Sequence, residues 1–160
     1  MSAQLRMLDA ARPEESSRQA EGGGDADSKR SPARDQATSV CGPNGAEIAD
    51  ILSKYRYTYS SERDLHEGIA SVLDTNGIGV THEVRRGPSH RLDFLVAGGW
   101  AIEVKVDGSL AAALAQVVRY LTDIPELQGV LIATTRHWVL PAEVKASYPV
   151  ELVVLRRSAF

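Results

Sequence analysis

Leu65, Ile69, Val72 and Leu73 recur at the three- and four-residue spacing of one helix face. Ser61 stands before them as a cap, and Asp64 suits the positive end of the helix, although a strict capping box from Ser61 is incomplete. Asn76-Gly77 supplies the stop. The period then drops to two. Gly79 to Arg86, Arg91 to Val96 and Trp100 to Val106 read as strands, separated by Gly87-Pro88-Ser89 and by the glycine pair Gly98-Gly99. Asp107-Gly108 breaks the third strand, and Ser109 caps a second helix with the stripe Leu110, Ala113, Leu114, Val117 and Leu121. Pro125 ends it. Val130 to Thr135 is a continuous apolar and β-branched run, as in a strand buried on both faces. Pro141 to Tyr148 has room for a helical turn, and Val150 to Leu155 reads as a last strand. Residues 46–59, with Tyr55, Tyr57 and Tyr59 alternating, fit a short helix, an edge strand or a docking segment.

This order predicts an α/β domain. A three-stranded meander followed by a helical crossover makes a mixed sheet flanked by helices. Composition divides the 160-residue chain in two. Residues 1–45 are rich in Gly, Pro, Ser and charge and hold no aromatic residue, so a disordered N-terminal tail is expected there and one compact domain over 46–160. The tail lacks the basic start and apolar run of a signal peptide, and no stretch of the chain approaches the roughly 18 apolar residues of a membrane span. A cytoplasmic location without a membrane partner is the expectation. Cys41 is the one cysteine, which excludes an internal disulfide and a cysteine-based zinc site within the chain. The net charge of −3 argues mildly against a general polyanion binder. Acidic residues gathered at one site would nevertheless mask a local basic surface, for which Arg85-Arg86, His90-Arg91, Arg136-His137 and Arg156-Arg157 are the candidates.

The chemistry is concentrated in the second and third strands. Glu103 and Lys105 share one face of their strand, while Ile102, Val104 and Val106 share the other. If the glycine turn takes an odd number of residues, Asp93 falls opposite Glu103. Two carboxylates that close repel, and favour a shared proton or a bound cation. Oxygen ligands suit Mg²⁺ or Mn²⁺, and Mg²⁺ commonly takes one or two protein carboxylates plus water. Taken alone, the same residues also fit a solvent-facing hairpin with a surface salt bridge of about 0.2–1 kcal/mol. Gln116 and Tyr120, four apart, stack on one side of the second helix and flank its apolar stripe. His66, His82, His90 and His137 lack the paired spacing of a zinc site and read as surface or boundary histidines.

These residues, in this order, resemble the PD-(D/E)XK nuclease superfamily. Asp93 matches the motif aspartate, Glu103-Val104-Lys105 the (D/E)XK element, and Gln116 to Tyr120 the QxxxY element of some members. Leu92 stands where the name-giving proline would be. The resemblance covers roughly residues 60–136, with an extension to 156 left open, and implies a restriction-endonuclease-like αβββαβ core. It implies hydrolysis of nucleic-acid phosphodiester bonds, DNA ahead of RNA. Asp93 and Glu103 would hold Mg²⁺ or Mn²⁺ with the Val104 carbonyl as an extra ligand, and the cation would activate water. Lys105 would orient that water or stabilise charge on phosphorus. Arg91, Gln116 and Tyr120 would place the substrate. A glutamate of the preceding helix is also expected to serve the metal or its water. At 100° per residue Glu62 lies beside Leu65 and Ile69, and Glu67 projects opposite, so Glu62 is preferred; Glu83 is a weaker alternative. The small domain suggests specificity lent by a homodimer or partner subunit. Two other readings stay open: a non-catalytic nucleic-acid-binding or assembly module on the same fold, and an interaction protein docking through a sheet edge or the tyrosine segment.

Overall fold

The computed structural model describes residues 42–158. The expected disordered tail lies outside them, apart from Gly42 to Gly45. The chain runs α1 (Gly45–Ser53), β1 (Arg56–Tyr57), α2 (Glu62–Thr75), β2 (Val80–Arg86), β3 (His90–Val96), β4 (Trp100–Lys105), α3 (Leu110–Asp123), β5 (Gly129–Thr134), α4 (Ala142–Ser147), β6 (Val150–Val154) and β7 (Arg156–Arg157). Strands β2 to β6 form one mixed sheet in sequence order. The β2–β3 and β3–β4 pairs are antiparallel, and β4–β5 and β5–β6 are parallel. Helix α3 makes the crossover that a parallel β4–β5 pair requires.

Helices cover both faces of the sheet. Phe94, Val96, Ile102, Val104, Leu131 and Ala133 pack against α1 and α2, whose buried residues include Ile48, Leu52, Leu65, Ile69 and Leu73. Ala101, Val130, Ile132 and Val150 pack with Ala113, Val117 and Tyr120 of α3. Both faces of β5 are thus covered, and all six of its residues are buried, as its unbroken apolar run predicts. The stripe of α3 is rotated from the expected one. Tyr120 is buried, while Leu110, Leu114 and Leu121 are only half-buried, because the Tyr120 hydroxyl finds an acceptor under the helix.

The undecided segment 46–59 divides into helix α1, a turn and the two-residue strand β1, which pairs in parallel with β7. The tyrosines are used inside the fold. Tyr57 is buried with its hydroxyl donating to the Leu52 carbonyl, and the Tyr55 hydroxyl accepts from Asn76. Docking through this segment therefore loses its main anchor.

Two local expectations are corrected. The fold starts before residue 46: Asn44 caps α1 in a reciprocal box with Glu47, and Gly45 is buried. A Cβ on Gly45 would enter the Trp100 ring, so only glycine leaves room there. Gly45→Ala is expected to cost about 1–3 kcal/mol, the usual range for overpacking, which urea denaturation would read directly. The box at Ser61 is complete, with Asp64 in the role usually held by Glu or Gln. Its shorter carboxylate reaches the backbone N–H groups of Ser61 at 3.0 Å and Ser60 at 2.9 Å.

Candidate functional site

The β3–β4 hairpin turns through Ala97-Gly98-Gly99, with both glycines at positive φ (100° and 84°). That is an odd loop, and the register Val96–Trp100, Leu95–Ala101, Phe94–Ile102 carries Asp93 to the level of Glu103. The ladder stops at Phe94, one residue short. Asp93 replaces the missing backbone acceptor with its side chain: Oδ2 accepts from the Val104 N–H at 2.8 Å. On the other flank, β2 pairs His82 with Phe94 and Val84 with Leu92, but Glu83 and Asp93 are not partnered. Glu83 has φ +48°, the one positive φ outside glycine among the described residues. Such a conformation costs on the order of 1–3 kcal/mol and is concentrated at functional sites. The distortion also divides the cores. Phe94 packs with the α1–α2 cluster and Leu92 with the α3 cluster, so β3 twists through Asp93.

Glu103 is buried under α3, 3% exposed. Its Oε1 accepts from Lys105 Nζ at 2.6 Å and from Gln116 Nε2 at 2.7 Å. Gln116 lies 2.5 Å from the Tyr120 hydroxyl, which donates to the Arg91 carbonyl at 2.9 Å. The four-residue spacing of Gln116 and Tyr120 thus builds one chain of hydrogen bonds from Glu103 to the backbone of β3. Thr134 of β5, fully buried, donates to the Lys105 carbonyl at 2.8 Å and holds the end of β4. The second oxygen of Glu103, Oε2, is buried with no hydrogen-bond partner among the described residues. Burial pushes the Glu103 carboxyl above its ordinary range, the charge of Asp93 pushes it the same way, and Lys105 and Gln116 pull against both. Burial also raises the Tyr120 hydroxyl to about 12. Tyr120→Phe would remove the hydroxyl that donates to the Arg91 carbonyl and accepts from Gln116. It is expected to cost about 1–3 kcal/mol in denaturation and to lower any activity less than changes at Glu103 itself.

A second set of residues reaches Asp93 from α2. His66 Nε2 stands 3.9 Å from Asp93 Oδ2 and 3.8 Å from Glu62 Oε1, buried and without a hydrogen-bond partner. Its ring packs on Phe94 with centroids 5.4 Å apart. A groove of about 680 Å³ runs between α2 and the β2–β3 hairpin, lined by Glu62, His66, Glu67, His82, Glu83 and Arg91.

Hydrogen bonds join Glu103, Lys105, Gln116 and Tyr120, Asp93 is tied to this set through the Val104 N–H, and Glu62, Arg91 and Val104 stand around it. Glu62 is on the edge, its side chain 63% exposed rather than on the buried face, and it meets Asp93 only through His66. The wheel argument placed the helix face correctly, but a first-turn residue overhangs the end of the core. Glu67 pairs with Arg63 on the same helix at 3.1 Å. Arg91 supplies its carbonyl, while its exposed guanidinium faces Glu83 at 3.9 Å. The N–H of Val104 donates to Asp93. His66 was missed as a site residue. Its one sequence signal is its position one residue after Leu65 and four after Glu62, on the side of the helix that meets the sheet.

Two neighbouring carboxylates with an unpartnered buried oxygen fit a hard cation that keeps most of its water. They do not form a full cage: among the described residues, no three His, Cys, Asp or Glu side chains are grouped to hold a metal ion. No described helix is long and apolar enough to cross a membrane. Compared with known proteins, the chain matches no family, no curated protein and no solved structure.

Proposed function

We propose that the chain is a metal-dependent nuclease with a PD-(D/E)XK-like core, hydrolysing phosphodiester bonds of nucleic acid, DNA ahead of RNA. One observation carries this reading: Asp93 stands level with Glu103 at a break in the sheet, with Lys105 on Glu103 and Glu103 Oε2 unpartnered among the described residues. A purely structural ion pair would gain little from a second buried carboxylate, since burial and like charge both oppose ionisation.

A Mg²⁺ or Mn²⁺ ion held by Asp93 and Glu103 would supply charge neutralisation at the scissile phosphate. The protein's own groups do the rest. Lys105 presents an ammonium that stabilises negative charge developing on the phosphoryl oxygens. Gln116 and Tyr120 hold Glu103 in one orientation, so its free oxygen stays aimed. His66, between Glu62 and Asp93, is placed to hold or pass a proton at Nε2. The groove along α2, with Arg91 on its wall, lies on the His66 side of Asp93.

A non-catalytic module on the same fold is the second reading, favoured by the self-satisfied pairing of Lys105 with Glu103 and of Asp93 with Val104. Incubating the protein with single- and double-stranded DNA and RNA, in Mg²⁺, Mn²⁺ or EDTA, separates them. Cleavage that needs metal and is lost in Lys105→Ala supports the nuclease. Salt-sensitive binding with no cleavage in any metal supports the module.

A further inference from the structure

Arg56 and Arg156 are partners in the parallel β1–β7 ribbon, and both are exposed. Partners on adjacent strands project from the same face, one strand spacing apart. Like charges directly opposite each other destabilise a strand pair. Among the described residues, neither arginine has a carboxylate at ion-pair distance. A third guanidinium, that of Arg157, is fixed on the opposite face of the ribbon, the face of Tyr57. Arg157 lies 4.9 Å above the Tyr59 ring and donates to the Tyr59 carbonyl at 3.0 Å. Tyr59 precedes Glu62 and Arg63, which line the groove, by only a few residues.

The arginines of the groove itself differ. Arg63 faces Glu67 and Arg91 faces Glu83, so their charge is already answered within the protein. Asp64, the acid nearest to Tyr59 in the chain, is committed to capping α2. The ribbon therefore holds uncompensated positive charge on a hydrogen-bonded frame, which a row of phosphates would answer.

We propose that the β1–β7 ribbon is a contact surface for the phosphate backbone of nucleic acid; this rests on the nuclease reading. Arg56 and Arg156 each neutralise one phosphate. Contacts of this kind carry no sequence information and show themselves in salt dependence.

The test is binding of fluorescent single-stranded and duplex DNA in EDTA, over a series of salt concentrations, with the full chain. The double variant Arg56→Gln/Arg156→Gln should lower the slope of log K against log salt by about 1.8 on duplex and about 1.4 on single strands, at about 0.9 and 0.7 per phosphate contact. Arg56→Lys/Arg156→Lys should keep the wild-type slope. Thermal melting should not fall in the Gln pair, since removing facing like charges does not weaken the ribbon. An unchanged slope in the Gln pair overturns the proposal, and if the wild type still cleaves DNA with Mg²⁺, the nuclease reading survives it. A wild type that neither binds nor cleaves nucleic acid overturns both. A Gln pair that keeps its DNA slope but loses binding to phosphatidylserine vesicles assigns the surface to a lipid headgroup and also overturns the proposal.

Discussion

Asp93→Asn and Lys105→Ala are each expected to lower the proposed metal-dependent cleavage by at least about 10²–10³-fold, the cost of losing one preorganised electrostatic group. Asp93→Asn is the cleaner variant for a structural reason. The Asp93 carboxylate accepts the Val104 N–H where the β3–β4 ladder stops. Alanine would orphan that buried donor, at about 1–3 kcal/mol, and confuse unfolding with lost chemistry. Asparagine keeps an oxygen in place and removes the charge. Its melting temperature should stay near wild type while cleavage disappears. Lys105→Ala takes away the cation on Glu103 Oε1 and leaves Gln116 as that oxygen's remaining partner. Single-turnover rates on the preferred substrate, beside circular dichroism melts, test both. A folded Asp93→Asn protein cleaving at the wild-type rate would remove Asp93 from the site.

Glu103→Gln should trade activity for stability. In the metal-free protein, burial and Asp93 oppose the Glu103 charge more than Lys105 and Gln116 support it, which raises its pKa above the ordinary 4.5. The sign follows from linkage. The folded chain holds this proton more tightly than the unfolded one. Wild-type stability relative to the variant therefore declines as pH rises through about 4.5 toward the folded value, and the difference is constant beyond it. Melts in EDTA should show Glu103→Gln gaining on wild type across that window. Mg²⁺ should reverse the order. An ion bound only by the folded state adds about 2.7 kcal/mol at a hundred times its dissociation constant, and the variant lacks the charge to hold it. Equal melting shifts with Mg²⁺ in both proteins would show that Glu103 is no ligand.

The candidate site was legible in the sequence to the extent that it depends on strand alternation and turn length. Asp93, Glu103 and Lys105 follow from period two and an odd glycine turn. Gln116 and Tyr120 follow from a four-residue helical spacing, and the structure joins them to Glu103. His66 did not follow. A histidine flanking an apolar stripe looks the same in sequence whether it meets solvent or a carboxylate, and which it meets is decided by where α2 lies over Phe94 and Asp93. Glu62 was assigned more contact than it has, because a helical wheel gives direction and not the point where the core ends.

What the sequence alone determined is the order of elements from α2 to β6. Caps at Ser61 and Ser109, stops at Asn76-Gly77 and Pro125, and the period of the apolar residues act within a few positions of the chain and need no partner. Only the tertiary structure decided that β3 twists at Asp93, that Gly45 must leave room for Trp100, that a carboxylate oxygen of Glu103 is left unpartnered, and that Arg56 faces Arg156 across 100 residues. Each of these depends on groups far apart in the chain, whose meeting is set by packing the whole sheet between its helices.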